Sequence, residues 1–467
     1  MMNISNSYKV NIELMDKLLD TKTNFDIVHR TLIANNIQLD FYFIDGFVKD
    51  EIMEKIFEAL LGAKLSTAYN IEEFSYRFIP YVEVDTLSDI DTIVTNILSG
   101  SIAMFIDGYF KVIMIDARTY PVRGVAEPEA DKVLRGSRDG FVETVVFNCA
   151  LIRRRIRSTN LKMEILQIGT TSHSDIVISY MDNKVDKELL TIIKDKLNDI
   201  DVEAFTMSQE SLSEALIPHH WYDPFPKVRY TERPDNAASN LLEGRILLMI
   251  DNSPAITILP TYFLDFVQES QDYYFPPLIG TYLRSIRLGV FFLNLLLTPL
   301  WLLAMQNPEY VPSFLNFIII KDGVNLPFII QFIILELGID AIKLASLNTP
   351  STLSSSFSII GALILGEFAI KAGWFNSEVI LYMAFVSLAS FTMPSFELGY
   401  AIKFIRILLL ILVSVFNVYG LLLGLVIFII LLYKNNTITN TSYLYPIIPF
   451  SLKELKRVFI RSKLKNK

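Results

Sequence analysis

The last third of this chain limits its fold most tightly: long apolar segments there carry ionisable residues at helical spacing. Residues 286–433 are dominated by Leu, Ile, Val, Phe and Ala. Within them Glu336, Asp340 and Lys343 stand at i, i+4 and i+7, one stripe of a helix. Glu367 and Lys371 stand four apart on another segment. A charge at the centre of a bilayer costs about 3 kcal/mol, so such groups face a protein interior, a partner or a water-filled path. The pattern implies an all-α multi-span membrane domain.

Composition removes several alternatives. A net charge of −8 sets nucleic acid aside as a partner. Cys149 is the single cysteine, which leaves neither a disulfide framework nor a thiolate metal site. His29, His173, His219 and His220 lack zinc-ligand spacing, so no metal and no other cofactor is expected. There is no glycine-rich phosphate loop, no His-Glu-x-x-His and no nucleophile elbow, and an enzyme is not expected. The polar lead 1–21 has no signal-peptide core, so the later apolar segments are expected to direct insertion.

Ahead of the apolar part the chain reads as an α/β soluble region of two small subdomains. In the first, 22–120, strand patterns cover 25–34, 37–46 and 77–85, and helical spacing covers 49–61 and 86–100. A hairpin is expected across 101–117, with Asp107-Gly108 as a two-residue type I′ turn. In the second, 121–216, a helix over 140–157 ends in Arg153-Arg154-Arg155, followed by strands at 161–169 and 175–181 and a helix at 187–197. The order of elements recurs without any sequence repeat. Residues 217–284 read as a connecting segment, because Pro224, Pro226, Pro234 and Pro254 interrupt regular structure. A further hairpin within it, 244–260, is expected to fold onto the domain.

The transmembrane helical domain, 285–433, is expected to have spans at 286–305, 328–347, 357–375, 379–396 and 405–433, with a half-length segment around 321–323. Arg284 and Arg287 before the first span place the soluble region in the cytosol by the positive-inside rule. The basic tail 434–467 reads as an amphipathic helix on an anionic leaflet. Both ends on one side require an even number of crossings, whereas the spans number five. The last run is long for one crossing and must tilt, protrude or break near 417–420. The stripe Glu336, Asp340, Lys343, with Glu367 beside it, fits either an ion path or pairs that neutralise one another within a bundle.

Several motifs then occur in one order. EPEADKVLRGSRDGFVET supplies Glu127, Pro128, Arg135, Gly136, Arg138, Gly140 and Phe141, and NCALIRRRIRS supplies Arg153, Arg154 and Arg155. PFPKVRYTERPD supplies Pro224, Phe225, Pro226, Glu232, Arg233, Pro234 and Asp235. Pro254 lies in EGRILLMIDNSPAITILP and Pro394 in ASFTMPSFELGYAIKFIR. Over roughly 25–450 the chain resembles the GerA family of spore germination proteins. WYDPFPKVRYTERPD and the form Asp251-Asn252-Ser253-Pro254 lean toward the stage V sporulation AF-type branch rather than the germinant-receptor A subunits. Ser137 stands where the family usually has proline. The resemblance implies a multi-pass protein of the spore inner membrane that acts in germination. It also implies a homo-oligomer that conducts ions, with membrane lipid, other germination membrane proteins and monovalent cations as partners.

Overall fold

A computed structural model of the chain describes residues 3–461 apart from 64, 66, 67, 69, 119–136, 218–220, 321–324, 348–360, 362 and 439–440. It divides into two compact units, residues 1–218 with 228–261 and residues 219–227 with 262–467.

The first unit is one arrangement built twice. Helix α1 (Tyr8–Leu19) leads to strands β1 (Ile27–Ala34) and β2 (Ile37–Ile44). Helices α2 (Asp50–Gly62) and α3 (Ile71–Phe78), strand β3 (Val84–Leu87), helix α4 (Ile90–Leu98), and strands β4 (Ile102–Ile106) and β5 (Val112–Ile115) complete the first set. The second set repeats that order: α5 (Val145–Arg155), β6 (Leu161–Ile168), β7 (Ser174–Met181), α6 (Lys187–Asn198), α7 (Gln209–Leu216), β8 (Arg229–Thr231), α8 (Pro234–Leu242), β9 (Ile246–Ile250) and β10 (Ile256–Leu259). The sheets run β1-β2-β4-β5-β3 and β6-β7-β9-β10-β8, and every pairing is antiparallel. The third strand of each set closes the far edge in both.

Strand β4, Ile-Ala-Met-Phe-Ile, is buried along its whole length because helices cover both faces of its sheet. Ala103 and Phe105 pack with Met15, Leu19, Ile93 and Ile97 of α1 and α4. Ile102 and Met104 pack with Ile56, Leu60 and Phe74 of α2 and α3. Each Ile, Leu, Met or Phe among them contributes about 1.5–3 kcal/mol on burial.

The two-residue reversal falls elsewhere than the sequence suggests. Ala34 pairs with Ile37, and Asn35 and Asn36 between them have φ of 51° and 64°. Positive φ at both central residues is what a type I′ turn needs, and asparagine tolerates it. At Asp107-Gly108 the connection runs longer, from Ile106 to Val112.

Residues 228–261, expected in the connecting segment, instead complete the second sheet. Pro234 is compatible with α8 because it occupies the first turn, where its missing N–H has no intrahelical partner to lose. The two sets are joined by Arg153 of α5, which donates from Nε and Nη2 to Asp26 at 3.0 Å each. Both side chains are fully buried. Arg153 also donates to the Leu161 carbonyl at 3.1 Å, so its charge and fork are satisfied without water.

The second unit is helical: α9 (Pro277–Gln306), α10 (Phe328–Leu347), α11 (Ser377–Phe391), α12 (Phe396–Lys434) and α13 (Leu452–Phe459). Helices α9 and α12 are each long and apolar enough to cross a membrane. Of the expected span 357–375, residues 357–360 and 362 lie outside the described residues, Leu363–Phe368 forms a π-helical turn, and α-helix continues only over Ala369–Lys371. Pro394 lies between α11 and α12, and Ser395 caps α12 by accepting from the Leu398 N–H at 3.1 Å.

Helix α12 breaks at Asn417 (φ 54°, ψ −130°). A Cβ on Gly420 would run into the Leu412 carbonyl oxygen, and one on Gly424 into Leu409 Cδ2. The partners recede as the glycines advance, so residues 396–416 and 418–434 pack antiparallel as a helical hairpin. At about 1.5 Å per residue the halves measure roughly 31 and 25 Å, against a hydrocarbon core of about 30 Å. The long last run is therefore split.

Candidate functional site

The charges of α10 meet charges that the sequence reading left aside. Glu336 and Asp340 lie one turn apart on α10, and Lys403 and Arg406 lie one turn apart on α12. Arg406 donates from Nε at 2.8 Å and from Nη2 at 2.6 Å to Glu336 Oε1. Its Nη1 donates to the Asn294 carbonyl of α9 at 2.9 Å and to the Asn294 side-chain oxygen. Lys403 Nζ bonds to Asp340, lies 3.3 Å from Glu336 Oε2 and donates to the Glu336 carbonyl at 3.2 Å. Glu336, Arg406 and Asn294 are buried, so three helices are held by one charge-assisted network.

The network borders a cavity of about 420 Å³ between α10, α11 and α12. Glu336, Asp340 and Lys343 line it together with Ser387, Phe391, Phe396 and Tyr400. Asp340 Oδ1 is buried with no hydrogen-bond partner among the described residues, as are Asn294 Nδ2 and Thr298 Oγ1 on α9. Lys343 Nζ lies over the Phe391 ring, 4.8 Å from its centroid. Glu367, the fourth expected path residue, does not line this cavity. It pairs with Lys371 at 2.5 Å, and both side chains are largely exposed.

A second network closes the base of the unit. Asp272 is fully buried and accepts from Arg284 Nε at 3.1 Å and from Arg287 Nη1 and Nη2 at 3.0 and 2.8 Å. Arg284 Nη1 donates to the Arg457 carbonyl of α13 at 2.5 Å, and the Arg461 N–H donates to Thr281 Oγ1 at 3.2 Å. The start of α9 and the last helix thus lie at one end of the unit. The two arginines that carried the positive-inside argument are spent on Asp272 rather than offered to a leaflet.

The family-motif residues mainly hold the fold. Phe141 is fully buried, and its N–H donates to the Glu232 carbonyl at 2.9 Å. Arg155 pairs with Asp139 at 2.6 Å, and Arg233 with Asp235 at 2.6 Å. Arg138 and Gly140 lie in the loop before α5, and Arg154 is exposed. In the Asp251-Asn252-Ser253-Pro254 turn, Asp251 Oδ1 accepts from the Val145 N–H at 3.0 Å and so caps α5. Phe225 packs against Phe263 and Phe428, and the Pro226 carbonyl accepts from the Tyr443 hydroxyl at 2.6 Å. Pro224 lies beside them in the same segment. Glu127, Pro128, Arg135 and Gly136 fall outside the described residues.

One further titratable group belongs to the first unit. His29 of β1 bridges Asp16 of α1 at 2.9 Å and Asp40 of β2 at 3.1 Å, stacked on Tyr42 with centroids 4.3 Å apart. The Tyr8 hydroxyl and the Thr31 hydroxyl also donate to Asp40. The bond to Asp40 holds the His29 imidazolium above its ordinary range. Burial pushes the Asp40 carboxyl up, but its bonds from His29, Thr31 and Tyr8 outweigh that and hold it down. Burial raises the Tyr8 and Tyr42 phenols.

Comparison with known proteins agrees over the length of the chain. Stage V sporulation protein AF of Bacillus subtilis (strain 168) is 34% identical over 447 residues, 94% of this chain and 89% of that protein. The uncharacterized membrane protein YfkQ of the same strain is 30% identical over 464 residues, 98% of this chain and 90% of that protein. The crystal structure of the N-terminal domain of the A subunit of the Bacillus megaterium spore germinant receptor GerK3 matches 56% of this chain and 98% of that chain, at 24% identity and a TM-score of 0.44. Residues 13–467 match the Bacillus/Clostridium GerA spore germination protein family, and the chain belongs to that family.

Proposed function

We propose that this chain is an oligomeric subunit of the spore inner membrane that conducts or releases ions as an endospore returns to growth. Monovalent cations are the cargo in this reading, and other germination membrane proteins are its partners. The observation that carries it is Asp340: one carboxylate oxygen is held by Lys403, and the other is buried at the cavity without a partner among the described residues. A carboxylate oxygen at a cavity among apolar helices is where an ion finds a group to replace water. The start of α9 and α13 share one end of the helical unit, and this reading assigns that end to the cytosol.

A second reading, a non-conducting scaffold or signalling subunit, draws on Glu336. Its carboxylate is buried and already bound by Arg406 and Lys403. The readings separate when Glu336→Gln and Asp340→Asn are made singly and membrane abundance is quantified. Conduction at Asp340 expects normal amounts of Asp340→Asn and impaired ion release. A scaffold expects both substitutions to change only abundance or complex formation.

A further inference from the structure

We propose that the cavity between α10, α11 and α12 holds an amphipathic monocarboxylate, its carboxylate against Lys343 and its apolar body along Phe391 and Phe396. The argument begins with charge. Glu336 and Asp340 bring two negative charges to the cavity wall, whereas Lys343, Lys403 and Arg406 bring three positive ones. Lys403 and Arg406 already engage both carboxylates. Lys343 is left over. Its ammonium has three donors; among the described residues it makes no hydrogen bond or ion pair, feels Asp340 and Glu336 only through their field, and lies over the Phe391 ring face. A half-buried cation among apolar helices calls for a counter-charge.

The cavity supplies room for that counter-charge. Its volume of about 420 Å³ falls within the roughly 300–1,000 Å³ of small-molecule sites. Phe391, Phe396 and Met383 give it largely apolar walls, and the hydroxyls of Ser387 and Tyr400 add hydrogen-bonding capacity. Such walls suit a carboxylate with a hydrocarbon body better than a fully hydrated inorganic anion. The carboxylate has two sources, a fatty acid of the bilayer or a short soluble acid. The site stands independently of conduction, since its readout is binding rather than flux.

The test titrates the purified full-length chain in detergent with octanoate, and with octanol as the neutral molecule of equal length, by calorimetry. Octanoate is expected to bind at least roughly tenfold more tightly than octanol. Lys343→Gln should erase that difference and Lys343→Arg should keep it, with unchanged thermal unfolding as the control for fold. Should Lys343→Gln not fold, Ser387→Phe fills the cavity from α11 and should abolish octanoate binding. Native mass spectrometry separates the sources. A long-chain acid retained through purification marks the bilayer, and an empty protein that takes up octanoate marks a soluble acid. Equal binding of octanoate and octanol, no binding of either, or wild-type octanoate affinity in folded Lys343→Gln would overturn the proposal.

Discussion

Asn307 and Asn417 hold each other through a reciprocal amide pair, Nδ2 to Oδ1 at 2.6 Å in one direction and 3.0 Å in the other. The pair fastens the end of α9 to the turn inside α12. Arg284 fastens the start of α9 to α13. One helix therefore measures the separation of the two ends, and the α12 turn belongs to the end away from the tail.

Sidedness follows from those two attachments. Tyr310→Cys and Tyr419→Cys, at exposed positions near the turn, should react with an impermeant maleimide from one face of a membrane vesicle. Phe450→Cys should react only from the other. Cys149 is buried and should add no background. Labelling of positions 419 and 450 from the same face would remove the hairpin crossing.

Gly420 makes the hairpin possible, because any side chain there meets the Leu412 backbone. Gly420→Ala should destabilise the helical unit by about 1–3 kcal/mol or more, the ordinary cost of overpacking. Gly399→Ala meets nothing within 4 Å and should be tolerated. Thermal unfolding of the two variants in one detergent compares them directly.

The Glu336–Arg406 pair should behave as a buried bond between helices. Arg406→Met alone leaves the buried Glu336 charge with only Lys403, 3.3 Å from Oε2, and should cost up to about 3–5 kcal/mol. Glu336→Leu combined with Arg406→Met removes both charges and should recover most of that loss. A double-mutant cycle read by unfolding or by membrane abundance checks the coupling. Additive losses would contradict it.

Much of this was legible in residue patterns. Strands β1, β2, β4 and β5 fall within the runs that read as strands, whereas the run 77–85 is α3 up to Phe78 and strand only from Val84; Asn417 and Gly420 mark the break in the last run. The second set was cut short because its proline-rich stretch resembles a linker, although Pro234 simply begins α8. Lys403 precedes the final apolar run 405–433 and Arg406 is its second residue, so both read as the charged edge of a span. Their partners lie 63 and 70 positions away in sequence, beyond any local spacing rule. Cations at matching depth in separate apolar segments were the available signal.

His29 should make the docking of α1 depend on pH. Its folded pKa is raised, so its contribution is complete below the unfolded value of about 6.5 and is lost as pH rises through the folded value. Asp40 acts in the opposite sense. Its folded pKa is lowered, so its contribution is present above about 3.9 and fades on acidification through the folded value. Amides of α1 should therefore exchange faster, after correction for intrinsic rates, at high pH than near neutrality. His29→Gln should flatten the alkaline part of that profile.

Ion release at Asp340 tests the account most directly. Potassium efflux is followed in germinating spores that carry wild-type protein or Asp340→Asn at matched amounts in the inner membrane. The account expects efflux to slow several-fold in the variant while the protein remains assembled. Efflux at the wild-type rate, with normal amounts of Asp340→Asn present, would contradict it.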